Sequence, residues 1–294
     1  MTKSRARAYL DLIRVPHYLK NLLIGMPLFF GHKLFDPQAA WATWWAFAVF
    51  CLTASLVYVF NDLRDVEFDR RHPKKRLRPL ASGNLTPGQA YGLMAILLGL
   101  ALVLALLFVS PRVMGLIAIY LVLNLAYSWR LKQAAVVDVI FIGLFFVLRV
   151  FVGGLAAGVW VSHWLVLMTF LLALFLALAK RRDDLVLAEN GQTRPSIDGY
   201  NLEFVSASLT IMAAVIVVCY VLYTLSPEVM AKHGTGNLYL TVFWVLAGLL
   251  RYLQLTLVKQ ESGSPTMVLL KDKFLLATVV LWVVNLFVVL YVLG

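Results

Sequence analysis

The sequence predicts an all-α polytopic membrane protein of about nine transmembrane helices, a single domain over residues 1–294. Three observations carry this expectation. The 294 residues are 62% apolar and 14% charged, where an ordinary soluble domain has about 25% charged, and the mean hydropathy is +0.84. So little polar surface cannot cover a water-soluble globule, which excludes a cytosolic enzyme, a secreted disulfide scaffold and a disordered chain. Nine apolar runs approach the roughly 20 residues that cross a bilayer. The segments joining them alternate between basic and nearly uncharged, as in a chain threaded back and forth through a membrane.

Taken in order, the elements begin with a basic stretch, Met1–Arg14, with no small-residue cleavage site behind an apolar core, so no removable signal peptide is expected. The nine runs are 19–35, 40–60, 89–109, 112–128, 136–158, 162–180, 205–225, 237–257 and 274–293. The first is the weakest, broken by Gly25, Pro27 and Gly31, and suits an irregular or half-buried helix. Segments 1–20, 61–88, 129–135, 180–204 and 258–273 carry 21 of the 26 Lys and Arg residues, and the opposite loops hold only Lys33, Arg112 and Lys232. Positive charge stays inside, so the N-terminus and basic loops face the cytoplasm and the C-terminus lies outside. The net charge of +11 is then explained by topology and anionic membrane lipid rather than by nucleic acid. Thirteen of the fifteen acids share the cytoplasmic side, which topology does not require. A face dense in both signs is where a charged substrate would meet its counter-ions. Cys51 and Cys219 sit inside apolar runs, which excludes a disulfide framework or cysteine metal site. Gly153, Gly154 and Gly158 suit close helix packing.

The most informative stretch is Asn61-Asp62-Leu63-Arg64-Asp65-Val66-Glu67-Phe68-Asp69, at the cytoplasmic end of the second run. Asn61, Asp65 and Asp69 recur at i, i+4 and i+8 and would stack along one helix face. Oxygen ligands with nothing soft nearby suit Mg²⁺, which completes its shell with water and substrate phosphate. The alternative is a solvated helix end whose acids pair with arginines. Downstream lies the basic run Arg70–Gly83, holding His72, Lys74, Lys75, Arg76 and Arg78. Beside a metal platform, such cations could hold the other oxygens of a diphosphate; alone they would read as lipid-facing charge. Further along come Tyr127 and Lys132 after the fourth run, Asp138 at the start of the fifth, and Arg149 about three turns deeper. An intramembrane arginine points to a polar cavity and an anion, or to neutralisation of an acid such as Asp138. Lys180-Arg181-Arg182-Asp183-Asp184 follows the sixth run and could be anchoring charge or an anion site. Lys20-Asn21, Arg251-Tyr252 and Lys271-Asp272 are weaker candidates. The five histidines share no ligand spacing, and no Walker loop, dinucleotide fingerprint or nucleophile elbow occurs.

Asn-Asp-x-x-Asp-x-x-x-Asp after the second of nine spans, with Arg78-Pro79-Leu80-Ala81-Ser82-Gly83 downstream, resembles the UbiA superfamily of intramembrane prenyltransferases. The resemblance covers nearly the whole chain. It implies a helical bundle around a central cavity open to the membrane and capped by the cytoplasmic loops. Members that use a prenyl diphosphate carry a second aspartate-rich motif after the sixth span, where this chain is cationic. The pattern is instead similar to the decaprenyl-phosphate phosphoribosyltransferase branch through Lys20-Asn21, Asn61 to Asp69, Lys75-Arg76-Leu77-Arg78-Pro79, Tyr127 with Leu131-Lys132, Leu148-Arg149, Lys180-Arg181 and Leu250-Arg251-Tyr252. That branch implies Mg²⁺-dependent transfer of 5-phosphoribose from phosphoribosyl diphosphate to a polyprenyl phosphate, releasing diphosphate, in a bacterial inner membrane and for cell-envelope glycolipids. Asn61, Asp65 and Asp69, with Asp62 beside them, would hold Mg²⁺ and the leaving diphosphate. Lys75, Arg76 and Arg78 would stabilise it, and Lys132, Arg149, Lys180 and Arg181 would position the lipid phosphate and the donor 5-phosphate. Two alternatives stay open: an aromatic prenyltransferase in which Asp183 and Asp184 form a reduced second metal site, and a transporter lined by Arg149 and Asp138. Association into a homo-oligomer stays open as well.

Overall fold

The structure is a computed structural model that describes residues 5–71, 75–189, 199–260 and 265–293; His72, Lys74 and the loop portions 190–198 and 261–264 lie outside them. Among the described residues all regular structure is helical: α1 (Arg5–Ile13), α2 (Met26–Phe30), α3 (Pro37–Arg64), α4 (Val66–Arg71), α5 (Pro87–Phe108), α6 (Pro111–Trp129), α7 (Val137–Ala157), α8 (His163–Glu189), α9 (Leu202–Leu225), α10 (Pro227–His233), α11 (Val242–Leu257), α12 (Pro265–Lys271) and α13 (Lys273–Tyr291), with short 3-10 turns between some of them. Eight of these segments are long and apolar enough to cross a membrane: α3, α5, α6, α7, α8, α9, α11 with the 3-10 turn before it, and α13.

The ninth expected helix, 19–35, is not a helix of spanning length. Val15–Gly25 forms a 3-10 helix and only Met26–Phe30 is α-helical. Pro16 and Pro27 each remove a backbone donor, and Arg14 enters the segment at φ 57. The segment nevertheless runs antiparallel along α3. Arg14 reaches Asp62, the Tyr18 hydroxyl lies 2.8 Å from Ser55 Oγ, Asn21 Nδ2 donates to Cys51 Sγ at 3.2 Å, and Leu28 clusters with Ala39. From Asp62 back to Ala39, α3 extends about 35 Å, enough for a hydrocarbon core of roughly 30 Å. Nine apolar runs therefore become eight α-helical spans and one irregular strand of chain alongside α3.

Local chemistry sets the helix ends. Asp36 caps α3 by accepting from the amides of Gln38 and Ala39, with Pro37 at the first helical position. Thr86 and Gln89 form a reciprocal capping box that starts α5. Asn201 caps α9, and Asp272 caps α13.

The chain divides into two compact units, Met1–Lys132 with Val147–Val161, and Gln133–Phe146 with Ser162–Gly294, so that α7 contributes its two halves to different units. In the first unit, Ala8, Leu12, Leu56, Val59, Leu80 and Leu85 share a core. Leu80 and Leu85 thus plug the loop after α4 into the helices. A Cβ on Gly153 would sit 1.9 Å from the Ile24 carbonyl oxygen, so α7 and the 3-10 segment meet backbone to backbone, as the glycine pattern suggested. In the second unit, Val139, Phe175, Leu209, Tyr252 and Leu275 belong to one core. Cys51 and Cys219 are free thiols.

Candidate active site

The acidic stretch sits where α3 gives way to α4. Asp65 leaves the helix at φ −97, ψ 3, yet its amide still donates to the Asn61 carbonyl at 3.0 Å, and the Asp69 amide donates to the Asp65 carbonyl at 2.8 Å. The backbone thus keeps the i, i+4, i+8 spacing, but the side chains do not form one stripe. Asn61 and Asp65 converge on Lys132, whose Nζ donates to Asp65 Oδ1 at 2.6 Å and to Asn61 Oδ1 at 3.3 Å. Asp69 turns instead to Asp62: Arg78 Nη1 donates to Asp69 Oδ2 at 2.6 Å and to Asp62 Oδ1 at 3.1 Å. Arg14 donates to the same Asp62 oxygen and lies 5.1 Å from the Tyr58 ring centroid. Asp62 and Asp69 are buried, whereas the Lys132 and Asp65 side chains are each 23% exposed. One set is a dry clamp and the other a wetter contact.

The basic loop reaches the acids through a local fold. The Arg78 amide donates to the Lys75 carbonyl at 2.9 Å, closing a turn, and the Leu85 amide donates to the Pro79 carbonyl at 3.1 Å. With Leu80 and Leu85 buried on either side of that second bond, Arg78 is held over the carboxylates. Lys75 is half-buried on the same turn and Arg76 is exposed. Tyr127 is half-buried in the last turns of α6, which leads to Lys132.

The other predicted site residues stand elsewhere. Arg149 Nε donates to Asn21 Oδ1 at 2.9 Å, its Nη2 to the Tyr120 hydroxyl at 3.3 Å, and its guanidinium lies 4.9 Å from the Phe50 ring centroid. Asn21 also bonds Cys51, eleven positions before Asp62 on α3, about 16 Å along the axis. Arg149, buried with Asn21, is therefore a deeper cluster than the acids; half-buried Lys20 precedes it. In the second unit, Arg181 is a buried ion-pair partner rather than an open anion site: its Nε donates to Asp138 Oδ2 at 2.6 Å and its Nη1 to Asp184 Oδ2 at 3.0 Å. Asp138 is thus met by Arg181, not by Arg149 as one reading of the sequence allowed. Lys180 next to it is exposed. Arg251 donates to both oxygens of Asp272, at 3.2 and 2.7 Å, and that hydrogen-bonded guanidinium holds the Asp272 carboxyl below the usual carboxylate range.

Sequence reasoning missed several partners. Arg14 counted only as N-terminal charge. Tyr120, inside an apolar run, carries no polar signal until Arg149 is seen beside it. The Tyr200 hydroxyl donates to Asp138 Oδ1 at 2.6 Å and accepts from the Val136 amide at 2.7 Å; burial first, and then Asp138, push its pKa up, keeping it a donor. Arg182, which the sequence left open between anchoring charge and an anion site, donates to Ser206 Oγ and to the Thr256 carbonyl.

Among the described residues no group of three or more His, Cys, Asp or Glu is arranged around one metal position. The donors that converge on Lys132 and on Arg78 are all carboxylate or amide oxygens, however, each set already focused on a cationic centre. That donor chemistry fits a hard divalent ion, which binds through one or two carboxylates and takes other ligands from water and phosphate. The first unit also has an apolar cavity of about 300 Å³ lined by Leu56, Phe60, Met94, Leu98, Leu121 and Leu125 among others, none of them a predicted site residue.

Residues 22–274 match the UbiA prenyltransferase family. The chain is 32% identical over 298 residues to the decaprenyl-phosphate phosphoribosyltransferase of Corynebacterium glutamicum, covering 99% of this chain and 89% of that protein. It is 31% identical over 293 residues to the protein of the same name from Mycolicibacterium smegmatis, covering 96% and 92%. A solved UbiA homolog from Archaeoglobus fulgidus bound to GPP and Mg²⁺ superposes with a TM-score of 0.67 over 96% of this chain and 99% of that one, at 20% identity, a likeness of fold. A family match over most of the length, together with full-length relatives, makes this chain a member of the UbiA prenyltransferase family.

Proposed function

We propose that this enzyme transfers 5-phosphoribose from phosphoribosyl diphosphate to a polyprenyl phosphate, releasing diphosphate, at the cytoplasmic face of a bacterial inner membrane, with residues 1–294 acting as one transmembrane domain. The observation that carries the reading is the pairing of Asp184 and Asp138 with Arg181. Asp184 near the end of α8 and Asp138 both pair with a buried arginine, whereas Asp65 at the end of α3 pairs with a lysine that is itself partly exposed, which supports the α3 acids as the metal platform. One acidic platform among cations suits a donor with a single diphosphate, whose 5-phosphate and the lipid acceptor's phosphate both need cations; a prenyl diphosphate enzyme of the two-motif kind would use a second acidic set. The relatives' shared name points the same way.

On this reading a lipid phosphate oxygen attacks C1 of the ribose, a C1–O bond forms, and the C1–O bond to diphosphate breaks with its electron pair leaving on diphosphate. A phosphate monoester is already anionic and needs no strong base, so catalysis is positioning and electrostatics. Mg²⁺, held by Asn61 and Asp65 with Asp62 and Asp69 beside them, would neutralise charge on the departing diphosphate. Arg78, with Lys75 and Arg76 on the same turn, would stabilise the departing diphosphate. Lys132 would meet one of the remaining phosphates. Arg149, sealed between Asn21 and Tyr120, acts through the packing of the 3-10 segment rather than by direct contact with the donor.

The test is an assay of purified protein with Mg²⁺, labelled phosphoribosyl diphosphate and a short polyprenyl phosphate, scored for labelled lipid. Mg²⁺-dependent labelling is expected. No labelling, with consumption of a prenyl diphosphate and an aromatic acceptor, would replace this function by aromatic prenylation.

A further inference from the structure

Lys132 and Arg78 both meet acids of the candidate metal platform, but in different ways. Arg78 is a planar donor joined to two buried carboxylates, one of them also held by Arg14. Lys132 is a point charge on a flexible stem, 2.6 Å from an acid as exposed as itself. Its second contact is the neutral amide oxygen of Asn61 at 3.3 Å. An ion pair with solvent access on both partners is weak and exchanges readily, while carboxylates that are themselves buried do not release their cation without leaving unpaired charge. The ammonium therefore sits at the one pair of oxygens on the platform that a stronger hard cation could take from it.

We propose that Lys132 is an internal counter-ion that occupies the oxygens of Asn61 and Asp65 and gives them up when a divalent cation enters. The idea rests on the reading of Asn61 and Asp65 as metal-side ligands. The exchange breaks no covalent bond: one ammonium leaves Asp65, a dication takes its place, and Lys132 becomes free to meet an incoming phosphate. Metal entry and phosphate capture are then coupled through one side chain in the 3-10 turn that follows α6. The device also keeps Asp65 compensated when no metal is present, since an uncompensated acid there would face Asp62 and Asp69 as like charges.

The coupling predicts an unusual sign. Removing a cation from beside an anion site ordinarily weakens ligand binding, but here it strengthens binding of the metal alone. Mn²⁺ or Mg²⁺ titrated calorimetrically into detergent-solubilised protein, with no phosphate compound present, should bind about three- to tenfold more tightly to Lys132→Met and Lys132→Gln than to wild type, the range set by an exposed ion pair plus the lost repulsion. Lys132→Arg, which keeps the charge, should stay within about twofold of wild type. Thermal unfolding checks that each variant is folded, and the two neutral variants back each other. Unchanged or weaker metal binding in the neutral variants, with binding lost in Asp65→Asn, would overturn the counter-ion role and leave the metal assignment standing. Metal binding that survives Asp65→Asn would remove both.

Discussion

Arg78 donates from a single nitrogen to Asp62 and Asp69, two side chains nearly sealed from solvent. Carboxylates that close and that dry would repel each other without a shared cation. Arg78→Ala is expected to cost about 2–4 kcal/mol of stability, below the roughly 3–5 for breaking a fully buried pair because Arg78 is a quarter exposed and Asp62 keeps Arg14, and to abolish turnover; denaturant unfolding in detergent measures the first. A loss under about 0.5 kcal/mol would mean that Arg14 alone neutralises the pair. The acids themselves were legible in the sequence because helix geometry ties i to i+4. Their partners were not, because Arg14 and Lys132 arrive from 48 and 67 positions away, and nothing local marks either. The division into an Asn61–Asp65 set and an Asp62–Asp69 set follows from the break at Asp65, which no spacing rule shows.

At the level of elements, hydropathy located the eight helical spans because apolar length is what a bilayer demands. The breaks at Gly25, Pro27 and Gly31 already marked the first run as irregular; the extent of the 3-10 segment, which starts before that run at Val15 with Pro16 at its second position, was not legible from a count of apolar residues. Backbone contact between that 3-10 segment and α7 gives a sharp prediction. Gly153→Ala would drive a methyl to 1.9 Å from the Ile24 carbonyl, and neither backbone can yield easily. A destabilisation of about 1–3 kcal/mol is expected, with a lower melting temperature in detergent; an unchanged one would show that the two segments part freely. The junction of α12 and α13 has its own signature. Asp272 both caps α13 and accepts from Arg251, and its lowered pKa means that this contribution is fully present above the unfolded value near pH 3.9 and fades as the pH falls through the folded one. Asp272→Asn should therefore be less stable than wild type at pH 7 and converge with it as the pH falls well below that unfolded value. A constant difference across that range would contradict the pairing.

For the whole molecule, charge asymmetry supplies a topology that can be measured directly. If the segment alongside α3 crosses the membrane, the termini lie on opposite sides. Cysteines placed at exposed Ala6 and Leu293 should react with an impermeant maleimide from opposite faces, Ala6 in inside-out vesicles and Leu293 in right-side-out ones. Labelling from the same face would reduce the crossings to eight. The polarity of the acids pointed to chemistry on the cytoplasmic side, but whether the cationic stretch after the sixth run was anchoring charge or an anion site stayed open, because sequence shows a charge and not whether it is already paired within the fold. If the acids ending α3 serve a phosphoribosyl donor, Asp65→Asn should lose diphosphate release from phosphoribosyl diphosphate in vesicles containing polyprenyl phosphate and Mg²⁺. Wild type should release diphosphate matched one-to-one by phosphoribosylated lipid, and the folded variant should release about a hundredfold less or lower still. Wild-type rates in Asp65→Asn, or no release by either protein, would contradict that role.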